Sequence, residues 1–399
     1  MSDPEIHLAL TDDWELRGDG SGDMRAMQFA TIRELVSIYN EFGLRGTFMA
    51  EVMQQLEHRR LGKMHPELGA LADEWDATLR SVHSQGHDVQ LHLHLHWHKA
   101  TFERKQWILS SPWSVSAYSA ANLRSMVESA KSYLEDLLRP VDRDYRCCAF
   151  RAGSYLAVPS DNLFSTMAEL GLIADVSVVP GWHIDSSFLG QRLLVDYRQV
   201  EEPFLPYYPE PSDFRHKGQH GPVHCMPTHS FHFNVTRKLQ RRLMSALGVA
   251  RNDLRRPSDL APKGAGGNIY DRRAALSGSK RLGWAGKLGR VLAPAHRISD
   301  LSQLSFWEAK LMLQDIRRRA RRSSWNEVPV VISNHTKNIG DFGPIRRFAE
   351  YVAAAKDIRV LTLREICDNL LSGCYQLRSD VGCNYKKRCG SLSQKGAAG

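Results

Sequence analysis

A run of alternating apolar and histidine residues limits what this chain can fold into more than any other feature. From position 89 to position 96 the sequence reads VQLHLHLH, so every second residue from Val89 onwards is apolar. Alternate side chains of a strand point to opposite faces, which would place His92, His94 and His96 together, opposite a buried apolar face. Neighbouring imidazoles repel each other when protonated and need partners when neutral. The run therefore predicts a strand that carries a metal site.

The composition is that of a soluble globular protein. Apolar residues make up 42% and charged residues 24% of 399 residues, enough for one large domain or two ordinary ones. Lys and Arg outnumber Asp and Glu by 53 to 44, which favours an anionic partner. The first ten residues lack the basic and apolar regions of a secretory signal, and no run of 18 apolar residues could cross a bilayer. We therefore expect a cytoplasmic protein whose seven cysteines are reduced thiols.

Predicted strands alternate with predicted helices along most of the chain. A short strand at 5–11, an amphipathic helix at 25–42 and a second strand at 45–50 form a β-α-β unit, which favours parallel strands. Further strands are predicted at 145–150, 174–179, 223–227, 328–332 and 358–361. This alternation indicates either an α/β barrel or a doubly wound sheet.

Two segments depart from this alternation. Residues 235–325 show no clear strand and are rich in Arg, Lys, Gly and Ser, which predicts an insertion of helices and loops. At its end, Arg317–Arg322 contains five arginines. These are either a solvated helix terminus that opposes the macrodipole or a patch that binds anions or a membrane surface. Residues 371–399 are polar and basic, and we expect a flexible tail after a folded domain over 1–370.

Polar tracts follow four of the predicted strands. Functional groups of parallel α/β proteins collect at the carboxyl ends of the strands, so these tracts are expected to meet. They are Asp12-Asp13, His92–His96, Arg151–Tyr155 and Ser333–Thr336.

The order of these tracts resembles a known enzyme family. An Asp-Asp pair, a Gly-His-x3 and His-x3-His tract, Phe-Arg-x-Gly-x-Tyr and a strand-end His resemble the NodB-type polysaccharide deacetylases, carbohydrate esterase family 4, over roughly residues 5–365. Within that family the chain looks most like the WbmS-like branch associated with O-antigen synthesis. The resemblance implies a distorted (β/α)7 barrel with a large basic insertion before the last strands. It also implies one bound divalent metal ion, usually zinc.

The resemblance also implies roles for individual residues. The metal ligands would be Asp13, His92 and His96. Asp12 would be the general base, Arg151 would orient it, and His335 would be the general acid. If residues 92–96 stay extended, His92 with His94, or all three histidines, could bind the metal instead.

The chain departs from the family pattern in three places. Trp14 stands where the family has a glycine after the Asp pair, the arginine motif lacks its usual proline, and the fourth motif is not clear. Asp175 is the first candidate for that motif and Asp196 the second. The further candidates for metal or substrate contacts are His94, Asp175, Tyr155, Trp14 and His229.

These observations predict a metal-dependent hydrolase that removes an N-acetyl or other N-acyl group from a sugar. One carboxylate and two imidazoles leave positions on a metal for water and for an acyl oxygen. Because no secretory signal is present, we expect an anionic nucleotide-linked or lipid-linked glycan precursor rather than finished cell wall as the substrate. Contact with the inner face of the membrane would involve Arg317–Arg322, and nucleic acid is not an expected partner. The alternatives are a metal-dependent phosphoesterase, another C–N hydrolase, or a non-catalytic barrel that binds an anionic glycan.

Overall fold

The computed structural model describes residues 3–233, 235–246, 251–254 and 295–377. The strands in these residues are β1 (Glu5–Trp14), β2 (Thr47–Glu51), β3 (Asp88–Leu93), β4 (Thr101–Glu103), β5 (Gln106–Ile108), β6 (Ala149–Ala152), β7 (Ala174–Asp175), β8 (His183–Phe188), β9 (Gln191–Asp196), β10 (Pro209–Glu210), β11 (Asp213–Lys217), β12 (His224–Cys225), β13 (Ser230–Phe233), β14 (Ala295–Ile298), β15 (Glu327–His335) and β16 (Ile358–Val360). The α-helices are α1 (Thr31–Glu41), α2 (Val52–Leu61), α3 (Pro66–Ser84), α4 (Ala120–Leu138), α5 (Asp161–Leu170), α6 (Val235–Ala246), α7 (Arg251–Leu254), α8 (Phe306–Arg322), α9 (Gly343–Ala353) and α10 (Leu363–Leu371).

The main sheet is a curved parallel sheet whose two ends meet. Its path runs β12-β7-β6-β3-β2-β1-β15, and β16 pairs with the first half of β1. Beyond β12, Thr228 forms a parallel bridge with Val331 of β15. The His229 N–H donates to the Val331 carbonyl at 2.7 Å, which joins the ends of the sheet. The fold is the predicted distorted α/β barrel of seven strands, and the doubly wound alternative was wrong.

The strands of the barrel are buried on both faces, as expected for parallel strands covered by helices. All residues of β1 except Glu5, and all residues of β3, are buried. Helices begin where the sequence supplies caps. Ser305 and Thr362 each form a capping box, with Glu308 and Glu365 three residues later.

The segment predicted as an insertion contains regular structure in its described parts. Helices α6, α7 and α8 lie in it, and so does β14, which pairs antiparallel with β13. The expectation of no strand here was wrong, because β14 is short and carries His296 and Arg297 between its apolar ends. Residues 255–294 and most of the predicted tail, 378–399, lie outside the described residues.

The arginine run at the end of α8 is largely occupied by carboxylates of the chain. Arg317 pairs with Asp357 at 2.6 Å and Arg321 with Asp3 at 3.0 Å. Arg318 and Arg319 both pair with Asp315. Four of the five cations in this run therefore contribute to packing contacts within the chain. In the described part of the chain, no helix is long and apolar enough to cross a membrane.

We expect Leu91→Ala to lower the free energy of unfolding by about 3 kcal/mol, because it leaves a cavity in the core. Leu91 is fully buried in β3, between Ala50 of β2 and Phe150 of β6. Urea denaturation measures the change. As a control, Leu194→Ala removes the same atoms from a residue that is 46% exposed, and we expect a change within about 0.5 kcal/mol. Equal losses in both variants would contradict the assignment of β3 to the core.

Candidate active site

A buried ion pair fixes the centre of the site. Arg151 of β6 and Asp13 of β1 are 0% and 1% exposed, and an Arg151 guanidinium nitrogen pairs with Asp13 Oδ1. The same guanidinium donates to Thr11 Oγ1 at 2.8 Å. Thr11 and Asp13 are two residues apart, so the alternation of β1 places both on the face that Arg151 contacts.

Asp12 lies on the opposite face of β1. It accepts hydrogen bonds from Tyr39 Oη of α1 at 3.0 Å and from Asn334 Nδ2 at 2.6 Å. Burial raises the pKa of Asp12 to about 7. The resemblance implied that Arg151 orients Asp12, but the structure pairs Arg151 with Asp13, because neighbouring residues of a strand face opposite ways.

A second carboxylate, Glu15, joins Asp13 at the end of β1. Glu15 Oε2 lies 2.5 Å from His94 Nε2 and 3.4 Å from His92 Nε2. One potential ligand atom from each of Glu15, His92 and His94 lies within 4.8 Å of the others, and all three residues are buried. Glu15 was not among the candidates predicted from the sequence. Its position two residues after Asp13 indicates the same face of an extended chain, and this spacing could have identified it.

The histidine run divides where β3 ends. His92 and His94 are extended and approach Glu15, whereas Leu95–Trp97 forms a 3₁₀ turn. This turn directs His96 elsewhere, so that its Nε2 donates to the Gly18 carbonyl at 2.9 Å and its ring stacks on Trp113. The structure thus brings together His92 and His94 rather than the implied pair of His92 and His96.

Apart from their contacts with one another, the ligand atoms of this cluster have no hydrogen-bond partners among the described residues. His92 Nδ1 donates to the Arg151 carbonyl at 3.1 Å, which leaves the Nε2 lone pair facing the carboxylates. The buried atoms without a hydrogen-bond partner outside the cluster include His92 Nε2, His94 Nε2, Glu15 Oε2 and Asp13 Oδ2. Such atoms are costly to bury unless an ion joins them. Two imidazoles and a carboxylate form a donor set that fits zinc.

The two carboxylates also set the protonation of the histidines. Burial alone would lower the pKa of His92, but Asp13 and Glu15 raise it to about 9. Burial holds the pKa of His94 at about 4. A proton on His92 is therefore what a metal ion would displace on binding.

Lys337 is a further buried member of the cluster. Its Nζ lies 2.6 Å from Glu15 Oε1, and its side chain is 1% exposed. Glu15 thus has one oxygen facing an ammonium group and the other facing two imidazoles. Lys337 follows β15 in the turn Thr336–Asn338. No sequence pattern marked it as a candidate site residue.

His335, at the end of β15, completes the cluster with a carboxylate behind it. His335 Nδ1 donates to Asp300 Oδ2 at 2.8 Å, and its Nε2 lies 3.4 Å from Asp13 Oδ2. Burial would lower the pKa of His335, but Asp300 and Asp13 raise it. Asp300 was missed because it lies within residues 235–325, which were interpreted as an insertion.

The remaining candidates divide into one neighbour of the site and several residues outside it. Tyr155 lies beside the site, with its ring centroid 6.2 Å from that of His335. Trp14 is in the core, stacked on Trp75 at 5.0 Å, because the alternation of β1 gives it the same face as Asp12. Asp175 accepts hydrogen bonds from Ser177, and Asp196 pairs with Arg198. His229 lies near α8, with Nδ1 2.6 Å from Ser299 Oγ and Nε2 3.4 Å from Asp315 Oδ2.

Comparisons with known proteins give structural likeness at low sequence identity. No protein-family model and no curated protein matches the sequence. The chain is similar to a protein described as a polysaccharide deacetylase from Mycobacterium smegmatis, with 14% identity, a TM-score of 0.45 and 96% of each chain covered. It is also similar to Puue allantoinase, with 12% identity, a TM-score of 0.44 and coverage of 93% of this chain and 91% of the other. A third similar protein is described as a polysaccharide deacetylase from Pseudomonas aeruginosa PAO1. It has 12% identity, a TM-score of 0.44 and coverage of 93% of this chain and 92% of the other. At these identities, the chemistry of the site has to be argued from its own side chains.

The two ligand sets predict different metal contents for two variants. We expect His94→Ala to bind one equivalent of zinc fewer than the wild type after saturation and desalting, because His94 Nε2 faces Glu15. We expect His96→Ala to keep it, since His96 is held by Gly18 and Trp113. Elemental analysis measures both. Loss of zinc in His96→Ala with retention in His94→Ala would show instead that His92 and His96 are the ligands, as the resemblance implies.

The absence of a side chain at Gly153 leaves space for the His94 imidazole. A methyl group on Gly153 would lie 2.6 Å from His94 Cγ and 2.8 Å from His94 Nδ1, closer than van der Waals contact allows. We therefore expect Gly153→Ala to displace the imidazole and to weaken zinc binding by about 10- to 100-fold. Competition with a chelating dye measures the affinity. Gly221→Ala is the control, because a methyl group there meets nothing closer than 3.7 Å, and unchanged affinity in both variants would contradict this role.

Proposed function

We propose that this chain is a metal-dependent hydrolase that removes an N-acyl group, with acetyl as the default, from a sugar of a polysaccharide or of its nucleotide- or lipid-linked precursor. The observation that carries the proposal is one buried cluster with three parts. Glu15, His92 and His94 form a set of metal ligands, Asp13 is a carboxylate held by Arg151, and His335 is an imidazole held by Asp300. Metal-dependent amide hydrolysis uses an electrophilic metal ion, a base and an acid, and these parts can supply the metal ligands, the base and the acid.

Glu15, His92 and His94 would hold the metal ion. When bound, such an ion polarises an acyl oxygen and lowers the pKa of a water molecule. Lys337 offsets part of the charge of Glu15 and holds one of its oxygens, so that the other stays directed at the imidazoles. This ligand set replaces Asp13 and His96 of the set that the resemblance implied.

Asp13 is the general base in this proposal. Burial would raise its pKa, but the Arg151 guanidinium, together with His92 and His335, holds that pKa below its ordinary value. Asp13 therefore stays ionised and can accept a proton from water. Arg151 occupies Oδ1, which leaves Oδ2 for this proton transfer. The resemblance implied that Asp12 is the base. In this proposal Asp12 instead accepts hydrogen bonds from Tyr39 and Asn334 on the outer face of β1.

His335 is the general acid. Asp300 fixes Nδ1 as a donor and stabilises the imidazolium form, so that Nε2 carries the proton on the side of Asp13. A leaving amine bound beside His335 Nε2 would receive this proton as the C–N bond breaks. The same cluster could also hydrolyse a phosphoester. Deacylation requires an N-acyl group on the substrate, whereas phosphoester hydrolysis does not.

The substrate class in this proposal is chosen from the charge of the chain rather than from the site. The excess of nine basic residues favours an anionic glycan precursor, whereas the O-antigen association rests on the resemblance of the sequence motifs alone. The structure narrows the surface that could bind a membrane, since only Arg322 of the arginine run has no carboxylate partner among the described residues.

A deacetylation assay with matched Asp→Asn variants tests the proposal. We expect the zinc-loaded wild type to release acetate from a nucleotide-linked N-acetylhexosamine or an N-acetylated oligosaccharide. Asp13→Asn should lower kcat by about 10²- to 10⁴-fold, because it removes the base, and it should retain the metal. Asp12→Asn should lower kcat far less, since Asp12 faces away from the cluster.

Three results would count against this assignment. A larger loss in Asp12→Asn than in Asp13→Asn would return the role of base to Asp12. Hydrolysis of phosphoesters without any release of acetate would favour the phosphoesterase. Glycan binding with no hydrolysis, unchanged by Asp13→Asn, would favour a non-catalytic barrel.

A further inference from the structure

A second group of metal-binding side chains lies at the opposite end of β1. Glu5 and Glu327 open β1 and β15, and they are partners in the parallel register. His7 follows Glu5 by two residues, so it shares a face with Glu5. One ligand atom from each of Glu5, His7 and Glu327 lies within 4.8 Å of the others.

His7 is buried with an imidazole nitrogen that faces this group. Its side chain is 4% exposed, and Nε2 lies 3.6 Å from Glu5 Oε2, too far for a hydrogen bond. Nε2 has no hydrogen-bond partner among the described residues. His7 Nδ1 lies 2.9 Å from Tyr375 Oη, which also accepts from Asn369 Nδ2 at 3.3 Å. An Nδ1–H that donates to Tyr375 leaves the Nε2 lone pair for a metal.

The carboxylates of the group lack a cation. Like charges at partnered positions of neighbouring strands are destabilising. In the described part of the chain, no Lys or Arg lies within ion-pair distance of Glu5 or Glu327. Arg359 occupies the β16 position opposite His7 but forms no ion pair there.

We propose that Glu5, His7 and Glu327 bind one zinc ion at the amino end of the barrel. One imidazole and two carboxylates are ligands that zinc takes, with water in the fourth position. Bond lengths of about 2.0–2.2 Å require the ligand atoms to approach one another slightly, and the Glu5 side chain, which is 45% exposed, is able to move. The ion would join β1, β15 and, through Tyr375, the segment after α10.

This site is independent of the candidate active site. Eight residues separate Glu5 from Asp13 along β1, which corresponds to about 26 Å at 3.3 Å per residue. Zinc bound here would stabilise the folded state without contacting the residues of the candidate active site. The two sites can therefore be removed separately.

Metal content and thermal stability of four variants test the proposal. After zinc saturation and desalting, we expect two equivalents in the wild type and one in Glu327→Gln, which keeps the shape but removes a ligand charge. Glu350→Gln is the matched control, since Glu350 is exposed on α9, and it should keep two. In His94→Ala, which lacks the first site, added zinc should raise the thermal midpoint by at least about 2 °C. That shift should vanish in His94→Ala/Glu327→Gln.

The outcomes separate this proposal from the proposed function. One equivalent in the wild type that is lost in His94→Ala and kept in Glu327→Gln overturns the second site and leaves the hydrolase intact. One equivalent that is lost in Glu327→Gln and kept in His94→Ala supports the second site and removes the metal from the hydrolase. Equal midpoint shifts in the single and double variants would mean that zinc binds elsewhere, which also overturns the proposal.

Discussion

The buried ion pair between Arg151 and Asp13 is the contact on which the site depends. Moving two charges out of water is expensive, and the cost is offset only when the remaining polar atoms find partners. Arg151 meets this condition, because it also donates to Thr11 and to the Val176 carbonyl. It thereby links β1 and β6 to the segment after β7 across the barrel interior. The same contacts fix the rotamer of Asp13 and direct its second oxygen towards His92 and His335.

The charges around this pair explain why the cluster suits a divalent ion. Asp13, Glu15 and Asp300 contribute three carboxylates, whereas Arg151 and Lys337 contribute two cations. One negative charge therefore remains on these five groups, and protons on His92 and His335 counter it: burial would lower the pKa of each imidazole, but the carboxylates raise both. A metal ion does the same with two charges and in addition satisfies nitrogen and oxygen lone pairs that a single proton cannot. In the proposed hydrolase, such a positive site would favour the oxyanion that forms during amide hydrolysis.

Sequence patterns predicted the parts of this arrangement that depend on periodicity. The alternation at 89–96 predicted β3 and the place of the candidate metal site, because a period of two indicates a strand. It could not show that β3 ends after Leu93, and this end decides whether His94 or His96 faces Glu15. Asp300 and Lys337 were missed for a different reason. A lone Asp or Lys in a polar stretch carries no periodic signal, and only the pairing of Asp300 with Ser333 brings it to His335.

The choice between Asp12 and Asp13 shows why the face of a strand is better evidence than a motif. The even positions of β1 are Ile6, Leu8, Leu10, Asp12 and Trp14, and the odd positions from Thr11 onwards are polar. An Asp-Asp pair matches the family motif equally well in either register, but a strand can present only one of two neighbours to the barrel interior. Asp12 falls among the apolar positions, where its charge is costly and its pKa rises, whereas Asp13 falls on the face of Arg151. The polar face continues to Glu15, the residue after β1, so one register places both the proposed base and a proposed metal ligand on this face.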